Sequence, residues 1–190
     1  AALRAALLVR MGEGEAARAV VRAVGRESVN IALDVAALEA YEATLDFTGI
    51  CPAISQFGDK GGGADKRWTV MRAVCGAFRG EGQSALIQLD RLQRQKALPD
   101  VDMLLAQKYA GAAGKARRAV KIEWEGVKDI TPWRYGMTLA VGLQPPPTVM
   151  KGAPLRYDST AAVAPMLGLT ARAAAADRAA AAGVLSSAAM

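Results

Sequence analysis

Cys51 and Cys75 are the residues of this chain best placed to do chemistry, and they are its only two cysteines. In an oxidising compartment they could be bridged; in a reducing one they would be two buried thiols. Alone they cannot make a four-ligand zinc site. They flank a glycine-rich segment, one at the start of a short helix and the other well into the next. With a rise of roughly 1.5 Å per residue, antiparallel helices bring them to comparable heights. A bridge closing a loop of that length would contribute about 3 kcal/mol.

Other reactive patterns fail on inspection. Gly58-Asp59-Lys60-Gly61-Gly62-Gly63 has the flavour of a phosphate loop. A P-loop, however, runs from strand to helix with its lysine after the glycines, and here Lys60 precedes most of them. Glu123 with Glu125, and Glu39 with Glu42, are carboxylate pairs. Paired acids catalyse only when a fold holds them across a cleft, and as neighbours on a helix they read as solvated charges. Ser55 and Ser84 have no recognisable base. The chain contains no histidine, which removes the usual general base and the commonest metal ligand together. These residues point away from an enzyme and call for no cofactor or metal. Trp124, Trp133, Arg134 and Tyr135, near Lys121 and Lys128, could grip single-stranded nucleic acid, or could close the last apolar face of a helical array.

The elements that must position these residues read as helices. Hydrophobic residues make up 52% and mean hydropathy is +0.14, which argues for a packed core over disorder. Aromatics are only 5%, so the core must be built from Ala, Leu, Val and Met. Leu3, Ala6, Leu7 and Met11 form an apolar stripe on a first helix, 1–11. Its first residues lack an N-cap and read as the middle of a helix, as in a trimmed piece of something longer. A second helix, 15–24, turns Ala17, Val20, Val21 and Val24 inward and Arg18 and Arg22 outward. Asn30, Asp65 and Thr131 are N-cap candidates for helices over 31–45, 66–79 and 132–141. Further helices are predicted over 51–57, 83–96, 100–111, 115–121 and 169–182. Residues 122–126 are ambiguous between strand and coil, and 154–165 is a weak segment. No stretch reaches the roughly 18 apolar residues of a membrane span.

Met11-Gly12-Glu13-Gly14 with Ala17 recurs as Arg79-Gly80-Glu81-Gly82 with Ala85, an offset of 68 residues, twice 34. Gly114 followed by Ala119 keeps the spacing, and counting places Asp46, followed by Cys51, at the missing member. A small residue where two helices cross is a physical requirement, because a long one would force the axes apart. This spacing resembles the tetratricopeptide repeat over about residues 1–126. The match is degenerate: Glu39 and Gln107 stand where the family prefers Gly or Ala, the unit-ending proline is missing although Pro99 falls close to one such place, and Trp68 is one residue from the aromatic position. The resemblance implies an all-α fold, a right-handed α-solenoid of antiparallel helix hairpins over 1–126, with an atypical helical cap over 127–190.

It also implies binding, since such arrays hold peptides or helices of partner proteins on a concave face lined by their first helices. Here that face would draw on Arg4, Arg67, Arg72 and Lys108. The expected role is a non-enzymatic scaffold or adaptor within a larger bacterial assembly, its partners being other protein subunits. A bridge between the cysteines would place it in the periplasm, in a secretion, pilus or flagellar-motor complex; two reduced thiols would place it in the cytoplasm. The 24 Lys and Arg against 18 Asp and Glu, net +6, keep open a basic nucleic-acid-binding helical protein as the alternative. That charge is interleaved with acids rather than clustered, which makes nucleic acid the weaker partner.

Overall fold

A computed structural model describes residues 1–25, 30–57, 65–113 and 119–185. Among them are eleven helices and no strand: α1 (Ala2–Arg10), α2 (Gly14–Arg22), α3 (Ile31–Ala43), α4 (Cys51–Phe57), α5 (Lys66–Phe78), α6 (Gly82–Arg94), α7 (Asp100–Ala112), α8 (Pro132–Ala140), α9 (Pro147–Met150), α10 (Arg156–Ala162) and α11 (Leu169–Ala181). The predicted caps are in place. The Asn30 side chain accepts from Leu33 N at 3.0 Å, Asp65 from Arg67 N at 2.9 Å and Thr131 from Arg134 N at 3.2 Å. Each satisfies an amide that the first helical turn leaves without an internal partner.

Several helices end in one way, with the amide two residues past the cap returning to a carbonyl five residues earlier. Glu13 N reaches Leu8 O at 2.9 Å, Asp46 N reaches Tyr41 O at 3.1 Å and Glu81 N reaches Gly76 O at 3.0 Å. This closure demands a left-handed residue just before that amide. Gly12 and Gly80 supply it at φ 83° and 95°, but after α3 it is Leu45, at φ 57°. The missing hinge of the repeat is therefore Leu45, one residue before the position that even spacing assigns to Asp46.

Packing follows the hairpins. α1 and α2 pack on each other and α3 packs against both; α5 and α6 pair in the same way, with α7 against both. Ala17 and Ala85 are buried at these crossings. Across the second hairpin a Cβ on Gly76 would stand only 3.8 Å from that of Ala85. Ala119 departs from the register: it is exposed and outside any helix. The rest of the expected 115–121 helix, the hinge at Gly114, and the loop 58–64 lie outside the described residues. Residues 122–126 form no strand.

α8 is the structural surprise. Every residue from Trp133 to Leu139 is buried, as in a helix enclosed on all sides. It lies against both α3 and α7, so close to the first that a Cβ on Gly136 would come within 2.9 Å of the Glu42 carbonyl. Trp133 meets Phe47 edge to face at 5.8 Å, and Tyr109 meets Phe47 at 5.8 Å from α7. One side of α8 (Trp133, Met137) thus completes the core of α1–α7, while the other (Tyr135, Leu139) builds a second core with Tyr157, Ala161, Ala164 and Ala175.

Candidate functional site

Cys51 at the start of α4 and the buried Cys75 in α5 lie at disulfide distance, with Sγ atoms 2.00 Å apart and Cα atoms 5.6 Å apart. The two residues are separated by 24 positions. A bridge there tethers the short α4 to α5 and restricts the unfolded chain. Replacing both by alanine is expected to lower the unfolding free energy by about 3 kcal/mol, read from urea denaturation of oxidised wild type beside the variant. No loss would mean that the thiols are not bridged.

A cleft of about 480 Å³ lies between the α1–α2 turn, the end of α3, the start of α8 and α10. Its geometry traces to small local choices. Gly14 lets α2 begin against α3, where any Cβ would come within 2.8 Å of the Thr44 methyl. Tyr135 and Tyr157 stack at 4.5 Å to form one wall, and the Tyr135 hydroxyl donates to the Tyr157 carbonyl at 3.0 Å. Burial raises both phenols above their ordinary value.

Glu42 borders the cleft and is itself buried. Arg67 Nη1 donates to both its oxygens, at 2.9 and 3.2 Å. Arg67 Nε and Nη2 turn to Asp65, at 3.0 and 2.6 Å. Burial pushes the Glu42 carboxyl up to about 8 against the pull of Arg67, with Glu39 and Asp65 adding to the rise. Burial would raise Asp65 too, but the hydrogen bonds and charge of Arg67 outweigh it and hold that carboxyl below its usual range. Arg67 is disfavoured by burial as well, yet its two acids keep it firmly cationic.

No protein-family model, curated protein or solved structure matches the chain.

The chemistry must therefore be argued from the geometry alone. A general acid or base has to reach the reacting atom within hydrogen-bond distance, and both Glu42 oxygens already accept from Arg67. The arrangement is suited to holding a shape rather than moving a proton. Arg67, expected on a partner-binding surface, is half-buried and ties α5 to α3 through its ion pair with Glu42. Arg4 on α1 and Arg72 on α5 are exposed, and Lys108 on α7 is half-buried. Arg18, expected to face outward, donates to Glu15 and Asp46 and lies 5.0 Å over the Tyr41 ring. Trp133, Arg134 and Tyr135 are buried and have no face free for a base.

The most prominent uncovered feature is elsewhere. Leu3, Leu7 and Met11 are 84%, 55% and 61% exposed, a line at i, i+4 and i+8 along α1. The sequence announces that stripe as apolar; it does not announce that nothing in the described chain covers it.

Proposed function

We propose that this protein is a non-enzymatic helical-repeat scaffold of the tetratricopeptide kind, docking an acidic, amphipathic helix of another protein along α1. The uncovered Leu3, Leu7 and Met11 stripe carries the reading, because apolar side chains aligned on one helix face are what a second helix packs against. The paired three-helix groups, α1–α2–α3 and α5–α6–α7, support a solenoid of antiparallel hairpins.

Charge selects the partner. α1 carries Arg4 and Arg10 and no acidic residue. A second copy would set like charges against each other, whereas Asp and Glu beside a partner's apolar stripe complement them. α8 lies against α3 and α7, so the partner is expected along α1. Nucleic acid is the weaker reading, since Arg18, Arg67, Arg134 and Arg178 form ion pairs within the chain. The disulfide-distance cysteines support an oxidising compartment, hence a periplasmic subunit of an envelope assembly such as a secretion, pilus or flagellar-motor complex. No described helix is long and apolar enough to cross a membrane.

A photo-crosslinking residue at position 7, used in the native cell, tests this. The expected adduct is one protein, joined through a peptide with an apolar helical stripe flanked by Asp or Glu, and Arg4→Glu reduces its yield about tenfold. Adducts only with a second copy, with lipid or with nucleic acid, or no adduct, would overturn the reading.

A further inference from the structure

The cleft beside Glu42 is bordered by two charged side chains that form no hydrogen bond or ion pair among the described residues. Three acidic and basic side chains on its walls have partners or stacking positions. Glu15 accepts from Arg18 at 2.9 Å, Glu42 is held by Arg67, and the Arg156 guanidinium lies 5.8 Å over the Tyr157 ring. Arg10 and Glu39 border the same cleft, and among the described residues neither forms a hydrogen bond or ion pair.

Counted from the left-handed hinges Gly12, Leu45 and Gly80, the position on α3 that matches Ala5 and Ala73 is Leu38, which is buried like them. Glu39 stands one residue further on, half-buried, and borders the cleft.

We propose that this cleft binds a short zwitterionic peptide, its ammonium on Glu39 and its carboxylate on Arg10, with Arg156 and the Tyr157 ring alongside. A volume of about 480 Å³ suits a small ligand. The planar guanidinium of arginine matches a carboxylate through two parallel hydrogen bonds, and a carboxylate lacking a cation in the fold is matched by an ammonium. The ligand must bring both charges, since either one alone leaves a wall of the cleft uncompensated.

Calorimetric titration of the full, oxidised chain with trialanine is the test. Saturable binding of one peptide per chain is expected, weakened about tenfold or more by N-acetylation or by C-terminal amidation of the peptide. Arg10→Gln should lose the preference for a free carboxylate and Glu39→Gln the preference for a free ammonium. Because the Glu39 and Arg10 side chains are not part of the core, both variants should unfold in urea like wild type. No heat at millimolar trialanine, equal binding of the blocked peptides, or unaltered preferences in the variants would each overturn the proposal. The docking of a partner helix on α1 would survive that outcome, since Leu3, Leu7 and Met11 border no part of this cleft.

Discussion

Arg134→Ala is expected to lower the unfolding free energy by about 3–5 kcal/mol, as breaking a buried ion pair on one side does. Arg134 Nε and Nη2 each donate to a different oxygen of Asp102 at 2.9 Å, and Nη1 donates to the Asp129 carbonyl at 2.6 Å. Both members of the pair are buried, one on α8 and one on α7. Removing the guanidinium leaves the Asp102 carboxylate in the core without its hydrogen-bonded cation, and burial already pushes that carboxyl up. Lysine keeps the charge but not the fork, so Arg134→Lys should recover only part of the loss. The double variant Asp102→Leu with Arg134→Met removes both charges and should lie much closer to wild type than Arg134→Ala does. Urea midpoints at unchanged slope measure all three. A loss below about 1 kcal/mol in Arg134→Ala would show that α8 is held by its apolar contacts alone.

How far the sequence alone reaches can be judged from such residues. Asn30, Asp65 and Thr131 were legible because an N-cap acts on an amide two or three residues away. Helix limits near Gly12 and Gly80 were legible because the left-handed hinge favours glycine. Leu45 takes the same conformation with no sequence signal, so even spacing points to Asp46 instead. Arg67 read as a surface cation because its partner Glu42 is 25 residues away, and no local pattern announces such a pairing. The position of α8 was hidden for a similar reason. Its Thr-Pro start fixed the helix, but its place against α3 depends on the missing side chain of Gly136 and the ring of Phe47. The cleft is half visible in the sequence: Glu39 and Glu42 stand there as a pair, whereas Arg10, Tyr135 and Tyr157 join them only through tertiary packing.

Glu42 gives the fold an expected pH dependence with a definite sign. Its carboxyl is raised in the folded chain from an ordinary 4.5 to about 8, so between those values the folded state binds more protons than the unfolded one. The stabilisation is fully present below the ordinary value and is lost as pH rises through about 8. One proton bound over that window corresponds to about 5 kcal/mol in total. Glu42→Gln keeps an oxygen for Arg67 and fixes the group in an uncharged form, so its stability should be nearly flat where that of wild type declines. Other groups titrate in both proteins, and the difference between the two curves isolates this one. Wild type should therefore hold its largest advantage at or below about pH 4.5 and lose it by about pH 8. The opposite sign, with wild type gaining on the variant as pH rises, would mean that Arg67 outweighs desolvation and that Glu42 is ionised in the fold. A carbon-detected titration of the Glu42 carboxyl would report the same answer independently.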